Sequence, residues 1–402
     1  MDWYVYVAWV LIVLQALFSL HVIKNYYFVL AKYRKQRDHY EPLTALIIPC
    51  KNLDTGFEQN ISSFYRQDYV NYLLWFVVEG SNDPAYGPLC NLKEKIGKDT
   101  KAKEIRVLVA GTGQICSQKI HNLLYAYRQV PNNVEVLAFA DSDISVKSHW
   151  LRHLVYPLRL ENRGATTGYR WFVPGINNFA TLVLSALNAK VAQLLGNTIW
   201  NQTWGGSMAI KTQTFRDLRL DVIWQKAVSD DLSLSYAVKK TRKKVEFVPG
   251  CIVASYETTT WSKLFEFARR QFLITRVTAP GTWLFGLVTC FCATFGLWGG
   301  AGLAVYAVLR HIPHIWLFTA IPVIFFIAQL SRALLRQNMA SKLFAEDWPK
   351  LRAAAAVDIA LFWLWSPIML ILILSSAFGR TIRWRGITYK MLGPTETIVL
   401  DS

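Results

Sequence analysis

Four stretches of this 402-residue chain, residues 3–23, 277–309, 311–331 and 359–379, lack Asp, Glu, Lys and Arg altogether. Each exceeds the roughly 18 residues that read as a spanning helix, which excludes an ordinary soluble protein. The first lacks a basic stretch before it and a small-residue cleavage pattern after it, so it reads as a retained anchor over residues 1–31 rather than a removable leader. The six cysteines include no CxxC pair, and Cys290 and Cys292 fall inside an apolar stretch, which excludes a disulfide framework and a cysteine-based metal site. Acids are scarce, 27 against 44 Lys and Arg, leaving a net charge of +17. Much of that excess flanks the apolar stretches, at 32–37, 332–352 and 380–390, where anionic headgroups account for it. No basic and aromatic groove pattern accompanies it, so nucleic acid is not an expected partner.

What is present is apolar and aromatic: 53% hydrophobic residues and 16 Trp, the mark of a membrane protein with one soluble part. Lys24, Lys32, Arg34, Lys35 and Arg37 follow the first stretch, and the positive-inside bias places residues 41–276 in the cytosol. About three spans are expected over 277–379, followed by a basic tail at 380–402. Three spans would put that tail outside, whereas Arg380, Arg383, Arg385 and Lys390 argue for inside. An interfacial segment would reconcile the two, with Gly299–Gly300 and Pro322 as the candidate interruptions, and the side of the tail stays open at this point.

Within 41–276, apolar runs of buried-strand length at 43–49, 74–78, 106–110 and 134–139 alternate with helix-like stretches at 56–65, 88–98 and 118–127. This alternation predicts an α/β domain with a mainly parallel sheet covered by helices on both faces. Residues 168–173, 207–211 and 245–248 predict further strands. Residues 179–195 read as an amphipathic helix lying on the bilayer, with a plain core helix as the alternative.

Ligands on such sheets bind beyond the carboxyl ends of the strands, where the informative acids fall. Asp141 and Asp143 follow the fourth run, spaced to hold a divalent cation against a diphosphate. Glu79 and Asp83 bracket a turn-rich segment after the second run; they suit contacts to a base edge or ribose, or simply a surface turn. Gly111-Thr112-Gly113 is not a dinucleotide fingerprint, because it follows the third run and Cys116 replaces the third glycine. Lys119 is either a phosphate partner or a solvated helix lysine. His121 reads as packing, with no second His or Cys at metal spacing. Asp230 and Asp231 open a helix, as caps or with one of them, preferably Asp231, as a general base. Arg269, Arg270 and Gln271, with Arg276 beyond, are either membrane-flanking charges or a clamp for a departing diphosphate.

Taken in order, Pro49-Cys50-Lys51-Asn52, Asn82-Asp83-Pro84-Ala85, Gln118 to Leu123, Asp141-Ser142, Gly205-Gly206-Ser207-Met208, Asp230-Asp231 and Ile382 to Gly386 resemble the inverting, membrane-bound glycosyltransferases of the GT-A fold, most closely the ceramide glucosyltransferase family. The resemblance covers nearly the whole chain. It implies a hexose, glucose first, passed from a UDP-sugar donor to the hydroxyl of a lipid acceptor such as ceramide, with Mg or Mn as cofactor. It places Lys51, Glu79, Asp83, Lys119, Asp141, Arg269 and Gln271 around the nucleotide sugar, the metal on Asp141 and Asp143, and catalysis on Asp231, Asp230 and Arg270. No Trp follows Arg270, so the aromatic half of that clamp falls to Phe272 or another ring. Residues 188–196 lack a His-Pro-Arg-like run, which leaves a hopanoid or diacylglycerol acceptor open. It also implies a multi-pass protein of a bacterial inner membrane or of the ER or Golgi. A processive polysaccharide synthase is the enzymatic alternative. A membrane scaffold or transporter is the non-enzymatic one, hinted at by Asp358.

Overall fold

The computed structural model describes residues 3–35, 37, 39–54, 56–313, 315–384 and 387–401, so Arg385 and Gly386 of the tail motif lie outside the described residues. One long apolar helix, α1 (Trp3–Tyr33), leads into the expected alternation: β1 (Thr44–Pro49), α2 (Phe57–Tyr65), β2 (Tyr72–Val78), α3 (Tyr86–Ile96), β3 (Glu104–Val109), α4 (Gln118–Tyr127) and β4 (Val136–Ala140). The two-residue period of an extended chain sends Leu46 and Ile48 of β1 into one core and Ala45 and Ile47 into the other. β2 divides in the same way, Leu74 and Phe76 against Leu73 and Trp75. Strands apolar on both faces need helices on both, which is why they read as unbroken hydrophobic runs.

The second half is less regular: α5 (Trp150–Val155), β5 (Arg163–Pro174), α6 (Phe179–Ala192), β6 (Ser207–Lys211), α7 (Thr212–Asp217), α8 (Leu220–Trp224), α9 (Asp230–Lys240) and β7 (Lys244–Glu257). The seven strands form one sheet in the order β3-β2-β1-β4-β6-β5-β7. All neighbours are parallel except β6, which runs antiparallel to both β4 and β5. That reversal is consequential, because Ser207 at the start of β6 pairs with Ala140 at the end of β4. The loop before β6 is thereby delivered to the sheet's carboxyl edge.

α10 (Trp261–Thr278) leads into the apolar region. α11 (Pro280–Thr294), one π turn and α12 (Gly300–Leu309) make a 30-residue apolar element, and α13 (Ile315–Leu343) makes a second of 29 residues. With α1 these are three helices long and apolar enough to cross a membrane. The interruption falls elsewhere than expected. Helix continues through Gly299–Gly300 and through Pro322, whereas α14 (Trp348–Ala360) and α15 (Trp365–Ser375) meet at a 67° bend. Pro367 explains the break: it has no N–H to give, and its ring would strike the Trp363 carbonyl in a continuous helix. Trp365 Nε1 reaches back over the break to the Asp358 carbonyl at 3.1 Å. The Asp358 side chain is fully buried and bonded to Arg336 and Gln337, so the acid that hinted at a transporter closes a structural ion pair.

Two further expectations change. α6 does not lie open on a bilayer: most of it is buried against β5, α10, α14 and α15, with Asn188 accepting from Phe172 N at 3.0 Å and Lys190 Nζ donating to Ser366 Oγ at 2.7 Å. Its apolar residues cover both the sheet and the apolar helices, which is why a one-faced pattern was a poor guide. The basic tail is an antiparallel sheet of β8 (Thr381–Trp384), β9 (Ile387–Gly393) and β10 (Glu396–Asp401), docked on α10 through Ile382, Tyr389 and Met391 packed with Leu273 and Ile274.

His153 on α5 carries a pH dependence. Its ring is buried beside His149, with no bond to Nδ1, and burial followed by the His149, Arg37 and Arg152 charges pushes its pKa down to about 4. Between about pH 4 and the ordinary histidine value near 6.5 the unfolded chain binds a proton that the folded one refuses, so stability rises with pH across that window and falls on acidification through it. The thermal midpoint of detergent-solubilised protein is expected to drop less from pH 7 to pH 4.5 in His153→Gln than in wild type. Parallel curves would contradict this.

Candidate active site

β1 lies between β2 on one side and β4 on the other, so the chain reverses its direction of travel across the sheet there, and the crevice at the carboxyl ends of β1 and β4 is the position such sheets reserve for ligands. A cavity of about 550 Å³ opens at this point. Lys51, Lys119, Asp141, Asp143, Asp230, Asp231, Arg270 and Gln271 all line it, brought from five different segments of the chain.

Lys119 stands at the centre. Ser117 caps α4 by accepting from Ile120 N, which fixes the first turn and sends the Lys119 side chain inward. Its Nζ lies 2.7 Å from Asp141 Oδ1 and 3.0 Å from Asp230 Oδ2. Burial works against that charge, but Asp141, Asp230 and Asp231 together hold it above the ordinary lysine value. A Cβ at Gly205 would stand 2.6 Å from Lys119 Nζ and 2.7 Å from Asp230 Oδ2, so a side chain there would displace this ion pair.

The paired acids of α9 have different surroundings. Ser229 is the cap, accepting from Leu232 N, so neither Asp is needed for that purpose. Asp230 is 3% exposed, and burial pushes its carboxyl up to about 6 against the pull of Lys119. Asp231 is held in place by backbone: Oδ2 accepts from Gly205 N at 3.0 Å, and Oδ1 accepts from Leu232 N at 2.7 Å and from the Ser229 hydroxyl.

Asp141 and Asp143 follow β4. Burial, with the Asp141 charge next, pushes the Asp143 carboxyl up to about 6, and its buried Oδ1 has no hydrogen-bond partner. Two hard oxygen donors side by side, one of them orphaned, suit Mg or Mn. Among the described residues no group of three His, Cys, Asp or Glu could hold a metal, so these two carboxylates would supply only part of an ion's coordination shell.

Glu79, Asp83 and Arg269 do not line the cavity. Glu79 pairs with Lys51 at 2.9 Å, and Asp83 Oδ1 accepts from Asn52 N at 3.0 Å and Ala85 N at 2.9 Å. Both acids thus brace the loop after β1, where Asn52 has a left-handed φ of 61°. Arg269 points away, its Nε donating to Ser375 O at 3.1 Å. Phe272 is packed in the core with α6, α11 and α15, and the rings facing Arg270 are Phe267 at 5.6 Å and Trp384 at 5.9 Å.

Sequence reasoning passed over Arg170, Trp204 and Glu257 and gave Trp384, within the tail motif, no role at the site; all four line the cavity. The Arg170 guanidinium sits over the rings of Phe172, Trp204 and Phe267 at 4.6, 5.5 and 5.6 Å. Burial raises the Glu257 carboxyl above the usual glutamate range, against the pull of Arg170. The available signal for Arg170 was a cation within the aromatic and apolar run 169–173; for Glu257 it was an acid ending a strand.

The mannosyltransferase PcManGT from Pyrobaculum calidifontis, solved with GDP-Man and Mn2+, is 15% identical over 92% of this chain and 97% of its own, with a TM-score of 0.45. GalNAc-T7, solved with UDP, GalNAc and Mn2+, is 13% identical over 58% of this chain and 51% of its own, with a TM-score of 0.40. A comparison with curated proteins finds no match. The family model described as glycosyl transferase family 21 matches residues 5–396, and the chain, a mainly parallel α/β glycosyltransferase with apolar helices on both sides of its catalytic domain, belongs to that family.

Proposed function

We propose that this glycosyltransferase moves a hexose, glucose first, from a UDP-sugar to the hydroxyl of a membrane lipid such as ceramide, a hopanoid or diacylglycerol, with inversion at the anomeric carbon. The observation that supports this most is the convergence of Asp141, Asp143, Lys119, Asp230 and Asp231 on one cavity also lined by Phe172 and Leu184, which belong to the cluster packed with the apolar helices.

Asp141 and Asp143 would hold Mg or Mn, which would supply positive charge to neutralise the diphosphate and ease its departure. The chain's own groups do the rest. Lys51, braced by Glu79, and Lys119 at the mouth of α4 bind the anionic donor. Asp231 is aimed by the Gly205, Leu232 and Ser229 donors, and takes the acceptor hydroxyl's proton as that oxygen bonds to the anomeric carbon. The bond from the anomeric carbon to the phosphate oxygen breaks, and UDP leaves with the electron pair. Arg270 and Lys119 stabilise the charge that grows there.

Membrane topology fits the same reading. α10, before the apolar region, and β8 and β9, after it, meet at the cavity, so the chain between them crosses a membrane an even number of times. Crossings by α11–α12 and by α13, with the bent α14–α15 pair entering and leaving on one face, satisfy that count and keep the tail on the catalytic side. The basic residues after α1 support a cytosolic placement of that side by the positive-inside bias.

The test is incubation of purified protein with a panel of UDP-sugars and lipid alcohols, with and without divalent metal. A labelled product that partitions into organic solvent supports the reading. A water-soluble polymer indicates a processive synthase instead, and no product from any pair sinks both.

A further inference from the structure

The residues of α10 divide by helical position. Arg269 and Arg276, seven apart and so on one face, reach the end of α15 and the stretch that follows it: Arg269 donates to Ser375 O at 3.1 Å, and Arg276 donates to Ala377 O and Gly379 O. Arg270 is rotated by one residue and faces the cavity instead. Two charges that look like a substrate clamp in sequence therefore fasten the tail, and one remains for the site.

The tail they fasten is not a loose extension. Ile382, Tyr389 and Met391 are buried with Leu273 and Ile274 of α10 and with Val228, just before the Asp230–Asp231 turn. Docked in this way, β8 and β9 present Trp384, Ile387 and Tyr389 to the cavity. Trp384 stands over the Arg270 guanidinium at 5.9 Å, and Phe267, one turn back on α10, stands over it at 5.6 Å. A free arginine samples many rotamers, and ordering it on binding costs affinity. Two ring contacts on one guanidinium narrow its rotamers beforehand.

We infer that the C-terminal sheet is a wall of the transfer site and that Trp384 is a positioning residue, holding Arg270 toward the diphosphate of the donor. The inference rests on the proposal above that a nucleoside diphosphate enters this cavity. Phe267 lies on the same helix as Arg270 and moves with it. Trp384 adds a ring contact from a separate element, although more than a hundred residues separate it from Arg270 in the chain.

The test measures UDP affinity and the KM and kcat for UDP-sugar in full-length protein. Trp384→Ala is expected to weaken UDP binding roughly three- to thirty-fold, the range of a lost cation–π contact, and to raise the donor KM. Trp384→Phe should recover most of the loss. In an Arg270→Gln background, Trp384→Ala should add little, since its route of action is already gone. Resistance of the Arg380 and Arg383 peptide bonds to trypsin reports that the tail is still docked, and Ile382→Asp, which undocks it, should reproduce the Trp384→Ala defect. Unchanged UDP affinity in a docked Trp384→Ala protein overturns the inference, as does full additivity with Arg270→Gln. If wild type itself binds no UDP, the functional proposal falls with it; if wild type binds and Trp384→Ala binds equally well, only this inference falls.

Discussion

Asp231→Asn is expected to reduce sugar transfer by about 10²- to 10⁴-fold, the range a general base supplies, with UDP affinity near wild type. The reason for expecting a clean separation lies in the bonds this carboxylate makes. Gly205 N, Leu232 N and the Ser229 hydroxyl all donate to it, while Ser229 Oγ also lies 3.2 Å from Leu232 N. An asparagine at this position keeps its carbonyl oxygen on Gly205 N and turns its amide toward Ser229, which still accepts from Leu232 N. The turn survives, and so does the neighbouring donor site on Lys119 and Asp141. Only the capacity to take a proton is lost. Transfer retained at wild-type rate would exclude Asp231 as the base, and loss of UDP binding in parallel would point to a collapsed turn instead.

Lys119→Met is expected to destabilise the fold by about 3–5 kcal/mol, the cost of leaving a buried carboxylate without its counter-charge. The lysine joins Asp141 and Asp230, with Asp231 beside them, and methionine fills its volume without replacing its charge. Asp230 is nearly inaccessible, so its carboxyl would rise further above its present value of about 6 and take a proton near neutral pH. That protonation caps the loss. The double variant Lys119→Met, Asp230→Asn, which removes the orphaned charge as well, should be more stable than the single lysine variant. Thermal midpoints in detergent decide it: a double variant less stable than the single would show that the lysine acts through something other than this charge cluster.

Much of the scaffold was legible from the chain. The runs that became β1, β2 and β4 are apolar on both faces, a pattern that only a sheet covered on both sides requires. Asp141, Lys119 and Asp231 were legible as candidates because each stands where a strand or helix begins or ends. Their meeting was not, since it depends on β6 running antiparallel to β4 and bringing Gly205 to the carboxyl edge, a reversal that leaves no local mark in the sequence. Arg269 and Arg270 are adjacent and chemically identical, yet one ties down the tail and the other faces the site. Only the rotation of α10 against α15 and β8 distinguishes them. Trp384 was hidden for a related reason, because contacts across more than a hundred residues carry no periodicity. The bend near Leu361 could have been anticipated from Pro367, but apolar composition alone does not separate a span from a hairpin.

The most direct test of the central claim is an experimental structure of the full-length protein with UDP and Mn2+. The account predicts an ion in contact with Asp141 and Asp143 and a diphosphate within reach of Lys119 and Arg270. Nucleotide bound elsewhere, or a cavity that stays empty at saturating ligand, would contradict it.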